Sequence, residues 1–170
     1  MRPATGVVPS PWIVALPTPT RTHIGGSAGS PVNGAWPGAN RALYLPFSLP
    51  VTMRMVSMSV FATSISGTYD LGLYDETLAV QLGHLGSTTV ATGLNTWTPA
   101  TPVLLEAGRN YYAAMSCSNT TANFIRVNPS AGAMGVGGCA QEATAHPLPT
   151  TPTGAVVASA FFPIISLVLY

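Results

Sequence analysis

The chain has 170 residues, enough for one domain with a proper core plus extensions, and 6% of them are charged, against roughly a quarter in an ordinary soluble domain. All six cations are arginines, set against five acids for a formal net charge of +1, which excludes a broad basic surface for nucleic acid. A lone monomer so poor in charge is colloidally fragile, which points to an assembly; interfaces deplete lysine and enrich arginine, a bias that genome base composition also produces.

Residues 1–40 differ from the rest of the chain. Seven prolines, from Pro3 to Pro37, are interleaved with Gly25, Gly26, Gly29, Gly34 and Gly38. This forbids a helix and discourages a central strand, because proline lacks the ladder donor. Only Trp12 to Leu16 reads as a strand. The segment is expected to be an extended arm whose short strand adds to a sheet edge, its own or a neighbour's. Trp12, Ile13, Val14, Leu16 and Trp36 argue against a floppy terminus, since such side chains are seldom left in water in a row.

Arg41 to Phe47 opens the folded part, and Leu49-Pro50 marks the step into the next strand. From Met53 to Met115 the chain reads as consecutive half-buried strands: MRMVSMSVFA, TYDLGLYD, LAVQLGHLG, NTWTPA, TPVLLEAG and RNYYAAMSC. Val56, Met58 and Val60 alternate with Ser57, Ser59 and Phe61, and Tyr69, Leu71 and Leu73 with Asp70, Gly72 and Tyr74. That is the period of two expected of a strand with one face in a core. Gly, Asn, Thr and Ser clusters separate the runs and permit tight turns. Asn123 to Val127 is a further strand, stopped by Asn128-Pro129. Beyond it lies a glycine-rich passage from Gly132 to Gly138, an irregular strand or a loop. Gln141 to Gly154 has three prolines and four threonines and reads as a long exposed connection, of the kind that is usually functional or mobile. The last segment, Phe161 to Tyr170, turns Ile165, Leu167 and Leu169 to one face and Ile164, Val168 and Tyr170 to the other. Cover is then wanted on both sides, inside a sheet or beneath a neighbouring subunit.

The longest apolar run, 155–170, is broken by Ser159, Pro163 and Ser166 and falls short of the ~20 residues of a spanning helix. MRPATGVVPSPWIV makes no signal-peptide core. Cys117 and Cys139 are too few for a disulfide framework and read as two small buried or half-buried thiols.

Motifs with chemistry are weak. Gly25-Gly26-Ser27-Ala28-Gly29 satisfies G-x-S-x-G, but a nucleophile elbow needs a strand before the serine and a helix after it, and here a Pro/Gly/Ser loop lies on both sides. Asp70, Asp75, Glu76 and His84 lie near one another in sequence. Asp75 and Glu76 come after Tyr74 at a strand end, where acids serve turns or surface ion pairs with arginine rather than the paired carboxylates of a glycosidase or a Ca²⁺ site. His23, His84 and His146 lack ligand spacing. The arginines stand singly at 2, 21, 41, 54, 109 and 126. Asn119-Thr120-Thr121 is a glycosylation sequon, meaningful only with a secretory route. Tyr69, Tyr74, Trp97, Tyr111 and Tyr112 are placed either in the core or along a sugar-binding face.

GTYDLGLYDE (67–76), HLGSTTVATG (84–93) and LNTWTPATPVLLEAGRNYYAAM (94–115) together resemble the β-sandwich module that recurs in virion proteins of tailed bacteriophages. In that module a G-[IL]-Y-D strand is followed by a hairpin, a glycine-containing turn and an aromatic-rich strand of the form L-x-A/P-G-x-Y-Y/W-x-A. The resemblance covers residues 41–170. It implies that Gly108 makes the tight turn into Tyr111 and Tyr112 while Leu105 packs inward, and it carries no catalytic residues.

The resulting expectations are an all-β, antiparallel jelly-roll-like sandwich at 41–170 with a Pro/Gly-rich arm at 1–40, and no enzyme. No catalytic, cofactor or metal residue is assigned. The resemblance implies a decoration or cement protein on the outer capsid surface, a homo-oligomer with a trimer favoured, whose partner is the major capsid protein. Neither nucleic acid nor membrane is a partner. The alternative is a tail fibre or baseplate module that binds a host-surface glycan.

Overall fold

The computed structural model describes residues 20–24, 31–127, 139–153, 156–157 and 161–170. In chain order the strands are β1 (Thr20–Ile24), β2 (Pro31–Ala35), β3 (Arg41–Ser48), β4 (Met53–Ser64), β5 (Thr68–Tyr74), β6 (Gln81–His84), β7 (Thr88–Thr89) and β8 (Gly93–Trp97). They continue with β9 (Val103–Leu105), β10 (Asn110–Cys117), β11 (Asn123–Val127), β12 (Ala140–Glu142), β13 (Val156–Val157), β14 (Phe162–Pro163) and β15 (Ile165–Leu169). No helix occurs among the described residues. The strands form two antiparallel sheets, and the chain is a β-sandwich. Sheet A runs β1-β15-β4-β11-β14, with β8 and β9 also on β4 and β2 on β11. Sheet B runs β13-β12-β3-β10-β5-β6, with β7 on β5.

One core fills the space between the sheets. Sheet A contributes Met55, Met58, Val60, Trp97, Phe124, Ile165, Leu167 and Leu169, and sheet B contributes Leu43, Leu45, Phe47, Leu71, Leu73, Tyr111 and Met115. The two buried acids among the described residues, Asp70 and Glu142, lie on the other face of sheet B. The alternation expected in β4 holds for Met58 and Val60 but fails one turn of the pleat earlier. Leu169 faces Met55 and Val168 faces Ser57, so Val56 is the extra residue of a bulge, and Met55 rather than Val56 enters the core.

The segment expected to be an arm supplies two strands of sheet A. β1 pairs along its length with β15, placing the C-terminal strand inside the sheet, and β2 pairs with β11. The expected strand at Trp12 to Leu16 lies outside the described residues. Trp36 closes one end of the core, edge-on to Phe124 and Phe161, with its Nε1 donating to the Arg41 carbonyl at 3.0 Å. Gly34 lets the Arg126 side chain pack against the strand, and a Cβ there would force that side chain to shift. The corner before β10 forms as the resemblance implied. Gly108 has φ +75°, its N–H donates to the Leu49 carbonyl at 2.9 Å, and Leu105 is buried.

Candidate functional site

The outward face of sheet B is a trough of small residues. Ala42, Ser116 and Asp70 share one cross-strand row, and Tyr44, Ala114 and Gly72 the next. Residues 143–153, directly after β12, lie across this trough as a strap. The strap buries Ala145 and Leu148 in a second apolar cluster with Ala42, Tyr44, Tyr74, Ala114 and Ala140. Gly72 admits it, since a Cβ at that position would lie 2.8 Å from Leu148 Cδ1. The exposed connection expected from Gln141 to Gly154 is therefore largely a cover. Its threonines and prolines face water in part, but Leu148 and Ala145 have an apolar seat that the proline count does not disclose.

Polar side chains pin the strap. Asp70 is fully buried on β5 and accepts three hydrogen bonds: from Leu148 N at 3.1 Å, from Gly86 N at 2.8 Å, and from His84 Nδ1 at 3.0 Å. His146, at the middle of the strap, meets Ser116 Oγ with Nδ1 at 2.9 Å and Thr68 Oγ1 and Ser87 Oγ with Nε2 at 2.9 and 3.2 Å. Burial pushes its pKa below the ordinary value, and the Asp70 charge offsets part of that. Glu142 accepts the Tyr44 hydroxyl at 2.9 Å and, on its other oxygen, Thr153 N at 3.0 Å. Burial, with the bond to Glu142, drives the Tyr44 pKa far up, so it stays a neutral donor. Tyr74 donates to the Pro149 carbonyl, and Ala145 N to the Asn40 carbonyl at 2.6 Å.

The outward face of sheet A differs. Phe61 on β4 and Leu94 on β8 are direct cross-strand partners, 47% and 52% exposed, and Leu104 on β9, opposite Arg54, is 46% exposed. Between them Ser59 and Thr96 bond each other through their hydroxyls at 2.9 Å. Arg54 is the one charged residue in β4, β8, β9 and β15 together. No described segment of the chain covers Phe61, Leu94 or Leu104 as the strap covers Tyr44 and Tyr74.

The other residues singled out in the sequence separate cleanly. Asp75 builds a turn, its carboxyl accepting from Thr77, Ala79 and Val80. Slight burial opposes ionisation, but those hydrogen bonds outweigh it and hold its pKa below the usual range. Glu76 lies 3.8 Å from Arg109, which also pairs with Glu106 at 2.8 Å. Of the five aromatics placed either in the core or along a sugar-binding face, Tyr69, Tyr74, Trp97 and Tyr111 are buried and Tyr112 is half-buried. Asn119 serves a turn, bonding Ser66 and the Thr121 amide. Cys117 and Cys139 are free and buried, with thiol pKa values raised by burial, that of Cys139 to about 12. Among the described residues no group of three His, Cys, Asp or Glu is placed to hold a metal. The G-x-S-x-G stretch lies outside the described residues. Sequence reasoning missed the pairing of Asp70 with His84 and of His146 with Ser116. The available signal was a lone acid at a strand position flanked by Tyr69 and Leu71, where a charge demands buried partners.

Compared with known proteins, the chain matches no family and no curated sequence.

Proposed function

We propose that this chain is a non-enzymatic structural protein of a tailed-phage virion, a decoration or cement protein that binds the major capsid protein on the outer shell as an oligomer, with a trimer favoured. The observation that carries the proposal is the outer face of sheet A. It presents Phe61, Leu94 and Leu104 to solvent, on and beside strands β4, β8, β9 and β15 that carry Arg54 as their one charged residue, which suits a contact surface better than a wetted one. The scarcity of charge over the whole chain and the resemblance of residues 67–115 to virion sandwiches support the same assignment. Contacts repeated over many copies give avidity without strong individual sites, the physics a shell under internal pressure needs.

The test is the copy number of the chain in purified particles, by quantitative mass spectrometry of virions and of tail-less heads. Hundreds of copies retained on heads agree with the proposal, whereas a handful lost with the tails contradicts it. A second test removes residues 2–19, sparing β1 and β2. Loss of attachment with an intact sandwich is expected, and normal attachment would remove the arm from the account.

A further inference from the structure

We infer that the outward face of sheet A docks a different protein rather than a second copy of this chain, and that Arg54 selects it by pairing with a carboxylate on an otherwise apolar surface. The inference rests on the reading of this face as a contact surface and names the chemistry of what it contacts.

Three segments of the chain build one row across that face. Arg54 on β4 lies opposite Leu104 on β9. On its other side it exchanges backbone hydrogen bonds with Tyr170: its N–H donates to the Tyr170 carbonyl at 2.8 Å, and its carbonyl accepts from the Tyr170 N–H at 3.0 Å. Met55 and Leu169, the partners next to them, are buried in the core, so Arg54 and Tyr170 turn the other way. Leu104 is 46% and Tyr170 59% exposed, and Arg54 is exposed between them. The apolar pair Phe61 and Leu94 is at the far end of β4, roughly 20 Å away at about 3.3 Å per residue. The stretch of β4 between the two clusters carries no charge. Tyrosine and arginine are among the residue types that dominate binding energy at interfaces, and this row sets one beside the other.

Charge decides which partner fits. Among the described residues the Arg54 guanidinium has neither an acid nor a hydrogen-bond acceptor. Covered by a purely apolar surface, its donors would be desolvated with nothing to bond, which is costly. A carboxylate on the partner matches the planar fork with two parallel hydrogen bonds. A second copy of this chain is poorly equipped to provide one. The chain has five acids. Asp70 and Glu142 are buried, Asp75 bonds its own turn, and Glu76 and Glu106 both pair with Arg109. A copy that turned Glu106 to a neighbour's Arg54 would give up the 2.8 Å contact with Arg109 and gain one arginine at the loss of another. Two such faces related by a two-fold axis through this row would also set Arg54 against Arg54. An acid-bearing surface of another protein meets neither obstacle, so contacts between copies belong to other surfaces of the sandwich.

Binding of the full chain to purified heads that lack it, with sedimentation velocity of the isolated chain alongside, tests this. The Arg54 side chain is exposed and without a partner in the chain, so its variants are expected to fold, as urea unfolding will check. Arg54→Met, which keeps an apolar stem and removes the charge, should weaken head binding about tenfold, and Arg54→Glu about a hundredfold. Raising salt from about 0.1 to about 0.5 M should weaken the wild-type chain more than Arg54→Met. Sedimentation of the isolated chain should be the same for all three. If the wild-type chain binds heads and Arg54→Glu binds them equally well, the inference falls while the virion reading stands. If Arg54→Glu changes the oligomeric state of the isolated chain, the face joins copies and the inference falls whatever the heads show. If the wild-type chain does not bind heads at all, the virion reading fails and takes the inference with it.

Discussion

The two outward faces of the sandwich began with the same problem, apolar side chains on the side of a sheet that does not face the core, and they met it differently. Sheet B is covered by its own chain: the strap lays Leu148 over Gly72 and Ala145 beside Ala42 and Tyr44, and Asp70, His146 and Glu142 hold it there. Sheet A leaves Phe61, Leu94 and Leu104 in water. The difference teaches that exposure of these residues is not a general looseness of the fold. Where the chain supplies a cover, apolar side chains are buried to the last few percent; where no described segment covers the sheet, Phe61, Leu94 and Leu104 are exposed.

Substitutions on the covered face should have the largest effects on stability. Leu148→Ala removes the strap's main apolar anchor and is expected to cost about 2–4 kcal/mol in urea unfolding. Gly72→Val, which drives a side chain into the Leu148 seat, should cost about 1–3 kcal/mol. Glu142→Gln leaves the Tyr44 hydroxyl with a poorer acceptor and is expected to cost about 1–2 kcal/mol, with a rise in exchange confined to the strap. Asp75→Ala, outside both faces, loses a turn hydrogen-bonded by its own side chain and should cost about 1 kcal/mol. At the other extreme, Phe61→Ser with Leu94→Ser should change monomer stability by only about 0.5 kcal/mol, yet abolish particle binding as measured by light scattering. A large stability loss in that pair would mean that Phe61 and Leu94 belong to the fold rather than to a contact, and the contrast between the faces would fail.

The strands of the sandwich were legible because alternation survives in β5, β10 and β15, where Leu71 and Leu73, Ala113 and Met115, and Leu167 and Leu169 mark the core side. Alternation could not show the bulge at Val56, since a bulge is set by the partner strand β15 and leaves no local mark. Strands β1 and β2 were hidden for a related reason. Proline and glycine argue against central strands, but β1 lies at a sheet edge and β2 pairs only with β11; of the five apolar residues that argued against a floppy terminus, Trp36 is the one among the described residues, and it is buried. The strap was hardest to see. Its anchors are single residues separated by prolines, and its partners, Asp70, Ser116 and Tyr44, lie from 30 to about 100 residues away in sequence. No periodicity links groups that meet only through the fold. The same holds for the assignment of Tyr69, Tyr74, Trp97 and Tyr111 to the core, which needed the second sheet and the strap to settle.

The most direct test of the contrast is hydroxyl-radical footprinting of the isolated chain and of particles that carry it, read at Phe61, Leu94 and Leu104 on one face and at Tyr44 and Tyr74 on the other. The account predicts that Tyr44 and Tyr74 are protected in both states at neutral pH, while Phe61, Leu94 and Leu104 are labelled in the isolated chain and protected in the particle. Equal labelling of Phe61, Leu94 and Leu104 in both states would contradict it.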